Sequence, residues 1–484
     1  VLGYCERGSQ LIIRNCRNAG NLSLDSRVGA DGGVVLGNYV NSGEVNSAAP
    51  DGAASVKLHF VGGIVGVNLE NQIIDHCSNT GNMSGCVGIG GIVGLNGGYI
   101  YNCALSGNFG NAGLNYLGGI ASINIRTSQE KKNYTDKNKT YTAGTIEDCR
   151  TEQGRTVTGK DCVGGIVSWN LTDGLVKNCA SAANVTAAGN CAGGMAGRNS
   201  GLIELADASS DTAARTVQGS RGEGVGGVVG VNEADGQLCI SGGQNSQVVA
   251  AGRGLTVMGQ SSVGGIIGTA YQNQLTISGI TLSGLSLNIP NRQNASSFGF
   301  GGIVGSLDAF GSSSLTNINV EGSVELYADR RENNPPVGGL IGFLNNHKSS
   351  QQQLSISGVN IATVDGSTLS QRGYYDGGLI GLTNGNNLLL VGGAAENEAI
   401  RIGNASGNVT ISKGADNGAN GFNSGVVSST RGTLNMTVQN LHMTGVTVNG
   451  AALTSLVFAG VERGNFTATI TLKNSEFASC TLYK

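Results

Sequence analysis

Cysteine is the reactive residue type with the most regular spacing in this chain of 484 residues, which contains 11 of them. Five hold the same place in successive repeated segments: Cys16, Cys77, Cys103, Cys149 and Cys179. Thiols in such a row could form disulfides in an exported protein, or they could act as small apolar core residues. Later segments carry other residues in this place: Ala206, Ile280, Ile318 and Leu441. Because aliphatic residues replace cysteine there, we predict a core row of thiols.

A second group of cysteines lies just before glycine pairs, at Cys86, Cys162 and Cys191. In-register positions on paired strands lie ~4.8 Å apart, beyond the ~3.5–4.5 Å between Cβ atoms that a disulfide needs. This mismatch argues against bridges within the first row, whereas bridges between the two groups remain open. No Cys-x-x-Cys pair with matching histidine spacing occurs, so we expect no zinc site, no other metal and no cofactor.

Carboxylates and histidines form no catalytic pattern. Asp75 and Glu147 share one place in the repeat, but Arg14, Tyr101 and Lys177 occupy it in other segments. Cleavage of a polysaccharide needs clustered carboxylates with a basic residue or a metal ion beside them. The four histidines, at positions 59, 76, 347 and 442, form no His-Glu-x-x-His motif. We therefore expect no catalytic residue and no enzymatic activity, with a polysaccharide lyase or glycosidase as the enzymatic alternative.

The residue before each cysteine of the row is polar. Asn15, Asn102 and Asn178 hold this place, together with His76 and Asp148. Short polar side chains hydrogen-bond readily to nearby backbone groups. We expect a polar ladder that supports turns, and a ligand-binding row is the functional alternative.

A segment at 126–144 interrupts the repeat and is rich in cationic and aromatic residues. These are Lys131, Lys132, Tyr134, Lys137, Lys139 and Tyr141. They could bind an anionic glycan, because loops on a rigid scaffold commonly carry binding residues. The simpler interpretation, which charged runs favour, is a solvated loop.

The elements that must position these residues are marked by a recurring glycine pair followed by two aliphatic residues. The pairs begin at Gly62, Gly90, Gly118, Gly164, Gly193, Gly226, Gly264, Gly301, Gly338 and Gly377. Glycine totals 82 residues and proline only 4. Self-similarity with a period of ~20–50 residues is the signature of a repeat architecture.

One repeat, 90–117, contains three short apolar pieces separated by Gly and Asn, which is typical of strands joined by turns. We predict an all-β chain forming a right-handed parallel β-helix of roughly a dozen coils, with about three short strands per coil. Regular coils are expected over 1–240 and longer coils over 241–384. Residues 385–484 are expected to form degenerate coils or a C-terminal subdomain. The chain begins inside a repeat, so we expect it to be a segment of a longer polypeptide.

The second aliphatic residue after each glycine pair forms a row that includes Val65, Val93 and Val167. Neighbouring residues on a flat strand face opposite sides, so this row could form an outward apolar stripe suited to lateral assembly. The alternative is a bend that turns both aliphatic rows inward.

The segments Ile100-Tyr101-Asn102-Cys103 and Gly107-Asn108, following Gly90-Gly91-Ile92-Val93-Gly94, resemble the GLUG repeat. The resemblance is good over residues 1–240 and loose beyond. It implies a large bacterial surface protein, since the family includes adhesins and the non-catalytic regions of immunoglobulin-cleaving metallopeptidases. No catalytic residue carries over from it.

The composition limits the classes of partner that the chain is expected to bind. Only 13% of the residues are charged and the formal net charge is -3, so no basic footprint for nucleic acid is present. No apolar run reaches the ~20 residues of a membrane span. We expect an extracellular or cell-surface bacterial protein with a structural or adhesive role. Its expected partners are copies of itself, packed laterally or end to end, or host or cell-surface glycans or proteins. A glycan-binding module using 126–144 is the alternative binding function.

Overall fold

A computed structural model shows a chain built almost entirely of short strands. It describes residues 10–23, 34–35, 57–85, 87–126, 133–136, 139–205, 215–220, 223–240, 254–271, 275–288, 298–308, 310–328, 335–413, 421–450, 452–462, 464 and 466–483. The chain divides into two compact units. Unit 1 comprises Val1–Ala206, Arg215–Gly219 and Val228–Cys239, and unit 2 comprises Asp207–Ala214, Ser220–Gly227 and Ile240–Lys484.

Each coil of unit 1 passes through five parallel sheets, numbered here from the glycine pair onward. Sheet 1 contains Val61–Gly62, Ile89–Gly90, Leu117–Gly118, Val163–Gly164 and Cys191–Gly193. Sheet 2 contains Val65–Asn68, Val93–Asn96, Ala121–Asn124, Val167–Asn170, Ala196–Asn199 and Val229–Asn232. Sheet 3 contains Leu11–Arg14, Gln72–Asp75, Tyr99–Tyr101, Thr145–Glu147, Leu175–Lys177, Leu202–Leu205 and Gln237–Ile240.

Two further sheets complete the coil of unit 1. Sheet 4 contains Arg17–Asn18, Ser78–Asn79, Ala104–Leu105, Arg150–Thr151 and Ala180–Ser181. Sheet 5 contains Leu22–Ser23, Met83–Ser84, Phe109–Gly110, Thr156–Gly159, Asn184–Ala187 and Arg215–Gly219. Two antiparallel pairs lie outside the coils: Val34–Val35 with Lys57–Leu58, and Asn133–Asp136 with Lys139–Thr142.

Unit 2 repeats this plan with longer strands. Its sheet 1 contains Gly224–Gly226, Val263–Gly264, Phe300–Gly301, Pro336–Gly338, Tyr375–Gly377, Phe422–Ser424 and Leu453–Ser455. Its sheet 2 contains Ile267–Tyr271, Val304–Asp308, Ile341–Asn345, Ile380–Asn384, Val427–Arg431 and Phe458–Val461. Its sheet 5 contains Leu255–Met258, Leu285–Asn288, Ser323–Tyr327, Thr368–Gly373, Val409–Lys413, Val446–Asn449 and Thr481–Tyr483.

A single sheet in unit 2 takes the place of sheets 3 and 4. It contains Thr276–Ser283, Ser312–Glu321, Gln352–Ile361, Asn387–Val391, Ile400–Ile402, Leu434–Gln439, Leu441–Thr444, Ala468–Lys473 and Glu476–Ala478. A 3₁₀ helix at Glu396–Glu398 lies between two of these strands. The coils continue past residue 385, because Ile380–Asn384 pairs in register with Val427–Arg431.

Pairing between equivalent residues of successive coils establishes a parallel β-helix in each unit. In unit 1, Ile100 pairs with Ile74 on one side and with Ile146 on the other. In unit 2, Leu315 pairs with Ile277 and Ile356. The predicted β-helix is therefore confirmed. In unit 1, the first two of the three predicted pieces are each divided by a corner, which gives five short strands to a coil.

Close backbone contact explains the glycine pair. A Cβ on Gly90 would overlap the carbonyl oxygen of Val93, three residues later in the same coil. A Cβ on Gly91 would overlap the carbonyl oxygen of Gly119, its equivalent in the next coil. Side chains are excluded on both counts, so this coil requires glycine at both positions of its bend between sheets 1 and 2.

The bend also determines whether the two aliphatic rows face the core or the solvent. Ile92 and Val93 both donate their backbone N–H to the carbonyl of Ile120, which marks a sharp turn rather than a flat strand. Both residues are fully buried, and Val65 and Val167 are at most 1% exposed. The inward bend is therefore what the structure shows, and the second row forms no exposed stripe.

A left-handed corner separates sheets 3 and 4 in unit 1. The corner residues have φ between 48° and 55°, and they are Asn15, His76, Asn102, Asp148 and Asn178. Asn and Asp reach this region more readily than other side chains, and glycine reaches it without a Cβ penalty. Unit 2 uses Gly279, Asn317 and Asn440 at its own corner of this kind. The polar row before the cysteines therefore exists because the backbone needs these residue types.

Candidate functional site

The five cysteines of the predicted row lie immediately after this corner. Four of them are buried, and Cys16 in the first described coil is partly exposed. The backbone N–H of Cys77 contacts Cys103 Sγ at 3.4 Å, and that of Cys103 contacts Cys149 Sγ at 3.4 Å. Each thiol also donates to the carbonyl two residues before it, at 3.2 Å for Cys149. The row is thus a ladder of hydrogen-bonded thiols.

Burial and hydrogen bonds between neighbouring thiols together set the pKa values in this row. Burial is the largest cause that raises the pKa of Cys149 well above its ordinary value, and hydrogen bonds with its neighbours raise it further. A hydrogen bond with the Cys103 side chain, followed by burial, raises the pKa of Cys77. The thiolate is the reactive form of cysteine, so these two residues are poor nucleophiles at neutral pH.

The second cysteine group forms a different contact. Cys162 and Cys191 precede sheet 1 in successive coils, and their Sγ atoms lie 3.7 Å apart in a buried position. Cys86, the third member of the group, lies outside the described residues. The sulfur atoms of these two predicted cysteines are thus in direct contact.

The charged positions of sheet 3 form ion pairs along the coils. Arg14 Nε lies 2.8 Å from Asp75 Oδ2, and Lys177 Nζ lies 3.9 Å from Glu204 Oε2. The Tyr99 hydroxyl donates to Glu147, whose pKa is raised chiefly by burial. Asp75 and Glu147 are separated in the sheet by Tyr101, so the structure does not bring these two carboxylates side by side.

The segment predicted as a glycan-binding loop contains an antiparallel hairpin. Tyr134 pairs with Tyr141 across it, and Lys139 pairs with Asp136. Tyr141 is only 5% exposed and packs edge-on against Tyr99 at a ring distance of 4.6 Å. This residue therefore packs against the coil and is not displayed, which corrects its assignment as a ligand contact. Lys131, Lys132 and Lys137 lie outside the described residues.

A buried asparagine ladder runs through unit 1, and sequence analysis did not identify it. Each asparagine lies six residues after the first glycine of a pair: Asn68, Asn96, Asn124, Asn170, Asn199 and Asn232. The side-chain Nδ2 of each of the first five donates to the next Oδ1, at 2.7–2.9 Å. The fixed spacing from the glycine pair was the signal that could have revealed it.

Turn carbonyls explain why asparagine suits this position. Asn124 Nδ2 also donates to the carbonyl of Gly144 at 3.0 Å, and Asn170 Nδ2 to that of Gly174 at 3.1 Å. Each of these two amides therefore donates both to a turn carbonyl of its own coil and to the asparagine of the next coil. A buried polar network is stabilising when every member has its partners.

Unit 2 contains a recess of about 250 Å³ on the strands of sheet 2. The sheet 2 residues that line it are Thr269, Tyr271, Ser306, Asp308, Phe343 and Asn345, and the others are Glu223, Ser262 and Phe298. Phe298 is 45% exposed, and Phe343 is nearly buried. The recess thus joins aromatic rings, carboxylates and an amide in one concave surface.

Small side chains open this recess. Its floor carries Thr269 and Ser306, five residues after the first glycine of their pairs. In unit 1 the same place holds Leu95 and Trp169, which pack with Phe60 in one buried cluster. Where the bulky residue is replaced by Thr or Ser, the space stays open. The sequence signal was this change within one repeat position.

Asp308 is the best-defined polar group of the recess. Its Oδ1 accepts a hydrogen bond from Asn345 Nδ2 at 3.0 Å and lies 2.8 Å from His347 Nδ1. Asn345 accepts in turn from Asn384 Nδ2 at 2.8 Å, so the Asp308 side chain is held by a chain of amides. A second hydrogen bond within the lining joins the Thr269 hydroxyl, as donor, to the carbonyl of Glu223.

Comparisons with protein-family models, with curated proteins and with solved structures found no match to this chain. Within the described ranges, no helix is both long and apolar enough to cross a membrane. Among those same residues, no cluster of three or more His, Cys, Asp or Glu side chains could hold a metal ion.

Proposed function

We propose that this chain is a structural shaft segment of a large exported bacterial surface or fibre protein, with a mechanical or adhesive role and no catalysis. The observation that carries the proposal is the asparagine ladder of unit 1, in which each coil is fastened to the next by a buried side-chain hydrogen bond. These bonds add to the parallel backbone pairing of the sheets. A segment that transmits load needs such contacts between every pair of coils.

The stacked arrangement predicts how the chain yields to force. Each coil contacts mainly its neighbours, so coils should be lost one after another. At ~3.5 Å per extended residue, a 28-residue coil of unit 1 releases about 100 Å and a 37-residue coil of unit 2 about 130 Å. Single-molecule stretching of the full chain should show both increments.

Two outcomes would count against the shaft. One is unfolding without resolved increments at forces typical of an unstructured chain. The other is an antibody against the folded chain that labels the cytoplasm of the source bacterium and not its surface. Replacement of Asn124 by Ala should lower the unfolding force for the increments of unit 1 alone.

The alternative glycan-binding role of the 126–144 segment is tested separately. Replacement of residues 127–140 by a Gly-Ser linker removes five of the six candidate residues and leaves Tyr141 against Tyr99. Loss of glycan-array binding in this variant would favour the binding module over the shaft. The enzymatic alternative predicts turnover of a polysaccharide by the purified chain, and the shaft predicts none.

A further inference from the structure

We propose that the recess of unit 2 is a binding site for a small organic cation, a ligand that carries an ammonium group on a body about the size of one sugar ring. This inference is independent of the shaft, because the recess involves neither the asparagine ladder nor the cysteine row. Its support comes from the size, the lining and the charge of the recess.

The size of the recess limits the ligand. Pockets for drug-sized molecules enclose ~300–1,000 Å³, whereas this one encloses about 250 Å³. A single ring with short substituents fits this volume. A mostly apolar wall with a few oriented polar groups is the usual composition of such sites.

The charge of the lining side chains favours a ligand with positive charge. Glu223 and Asp308 line the recess, and among the described residues that line it there is neither Lys nor Arg. The Asp308 carboxylate accepts both its hydrogen bonds on Oδ1. Its Oδ2 has no partner among the residues that the structure describes. An anionic ligand would meet carboxylates here, and a cationic ligand would gain from them.

The aromatic residues favour the same class of ligand. Phe298, Phe343 and Tyr271 line the recess together with the acids. Aromatic faces attract ammonium groups within ~6 Å of the ring centre, by about 0.5–2 kcal/mol depending on solvation. The half-exposed Phe298 can contact a ligand without any rearrangement of the core. Aromatic rings and carboxylates therefore line the same recess.

Binding of three matched sugars to the purified full chain tests the proposal. Glucosamine, N-acetylglucosamine and glucuronate share one ring and differ in charge, and calorimetric titration measures each affinity. We expect glucosamine to bind at least tenfold more tightly than N-acetylglucosamine, and glucuronate not to bind. Choline, an ammonium without a sugar, distinguishes the two sources of this chemistry: binding by choline as well supports a general ammonium site, and its failure restricts the ligand to amino sugars.

Variants locate the site. Asp308→Asn removes the charge at nearly constant size and should weaken glucosamine binding at least tenfold. Phe298→Ala should weaken it severalfold. Asp365→Asn, an exposed acid of unit 2 that does not line the recess, should leave binding unchanged.

Three results would overturn the proposal. They are equal binding of N-acetylglucosamine and glucosamine, full binding by Asp308→Asn, and no binding of glucosamine or choline at millimolar concentration. Unchanged far-ultraviolet circular dichroism in each variant verifies that the fold is retained. Failure of this test leaves the stretching experiment unaffected, so the two proposals stand or fall separately.

Discussion

The two units solve the same packing problem with different interiors. Both bend the chain at a glycine pair, and in both a Cβ at the second glycine would meet backbone of the next coil, as at Gly91 and Gly302. Six residues after the first glycine, unit 1 has an unbroken row of asparagine, whereas unit 2 has Ala270, Leu307 and Leu344. Unit 1 also fills its corner row with cysteine where unit 2 uses Ile280 and Ile318.

The two units also satisfy the carbonyls of their turns in different ways. In unit 1 the turn between Asn170 and Leu175 is short, and Asn170 of the ladder donates to its Gly174 carbonyl. In unit 2 a connection after sheet 2 is longer, and isolated amides serve its turns: Asn346 Nδ2 donates to the carbonyls of Ser350 and Asn386. The comparison teaches that the two units share the geometry of the bend but satisfy their turn carbonyls differently, through a continuous ladder in unit 1 and through separate amides in unit 2.

Substitution of the glycines should produce the largest effect, and it should be equal in both units. Gly91→Ala and Gly302→Ala each place a Cβ against a backbone carbonyl that cannot move without disturbing the next coil. We expect a loss of more than about 4 kcal/mol in the free energy of unfolding, or failure to fold. Guanidinium denaturation followed by Trp169 fluorescence reports on unit 1, and hydrogen exchange reports on unit 2.

The matched control is Gly113→Ala in the same coil as Gly91, where the nearest atom to a new Cβ is Asn111 Oδ1 at 3.5 Å. Its cost should remain below about 1 kcal/mol. If Gly91→Ala were as stable as this control, close backbone contact would not be the reason for the glycine pair.

Disruption of the asparagine ladder should affect unit 1 alone. Asn124→Ala removes a hydrogen bond on each side, which leaves Asn170 Oδ1 without its donor and Asn96 Nδ2 with only the carbonyl of Thr145. The expected cost is about 2–4 kcal/mol, measured by Trp169 fluorescence during denaturation. Hydrogen exchange in unit 2 should not change.

A control for the ladder is Asn111→Ala, whose exposed side chain accepts one bond from the backbone of Gly113. Its cost should stay below about 1 kcal/mol. The reciprocal change Leu344→Asn places an isolated amide in the core of unit 2 and should destabilise that unit. A neutral effect of Asn124→Ala would show that the ladder does not hold the coils together.

Alkaline pH should lower the stability of unit 1 relative to unit 2, by a smaller amount than the substitutions above. The buried Cys149 thiol has a pKa raised above the ordinary 9.0, so it stays protonated in the folded state while the unfolded thiol ionises. Above pH about 9 the unfolded state therefore binds fewer protons, and stability falls as pH rises, by up to about 1.4 kcal/mol per pH unit for each such thiol. Denaturation of unit 1 between pH 8 and 10 measures this slope.

Replacement of Cys77, Cys103 and Cys149 by Val, the type of residue that unit 2 uses in this row, should flatten the slope. An unchanged slope in the triple variant would assign the alkaline sensitivity to other groups. A buried tyrosine such as Tyr116 contributes little at pH 9: burial raises its pKa in the folded state, and an unfolded tyrosine with the ordinary pKa of 10.0 is still mostly protonated at that pH.

Oxidation should give the smallest structural change and should distinguish two kinds of cysteine in unit 1. Cys162 and Cys191 have sulfur atoms 3.7 Å apart, whereas Cys103 and Cys149 each donate to a carbonyl of their own coil. A small disulfide reagent should link the first pair, with its own disulfide reduced to two thiols and a loss of about 2 Da from the chain. Peptide mapping by mass spectrometry identifies the bridge, and Cys162→Ser should abolish it. A bridge between Cys103 and Cys149 instead would contradict the ladder of thiols.

The architecture could be predicted from the sequence because it depends on a local pattern that recurs. Each glycine pair with its aliphatic neighbours describes one bend, and a dozen similar bends describe a β-helix. The direction of the second aliphatic row could not be predicted, since it depends on how sharply the chain turns at Gly91 and Ile92. The recess was missed because the repeat marks the positions of Thr269 and Ser306 but not the space that their small side chains leave open.

By itself, the sequence determined the coil. Glycine at the bend, residues suited to a left-handed corner at Asn102, and an apolar or thiol row after it are local requirements that any stacked coil must meet. Only the tertiary structure decided which neighbours those residues have. The contact of Asn96 with Asn124, the burial of Tyr141 against Tyr99 and the opening beside Ser306 all depend on register between coils. The register depends on many contacts between residues ~30–40 positions apart in the chain. Such contacts join two repeats, so the sequence of a single repeat does not reveal them.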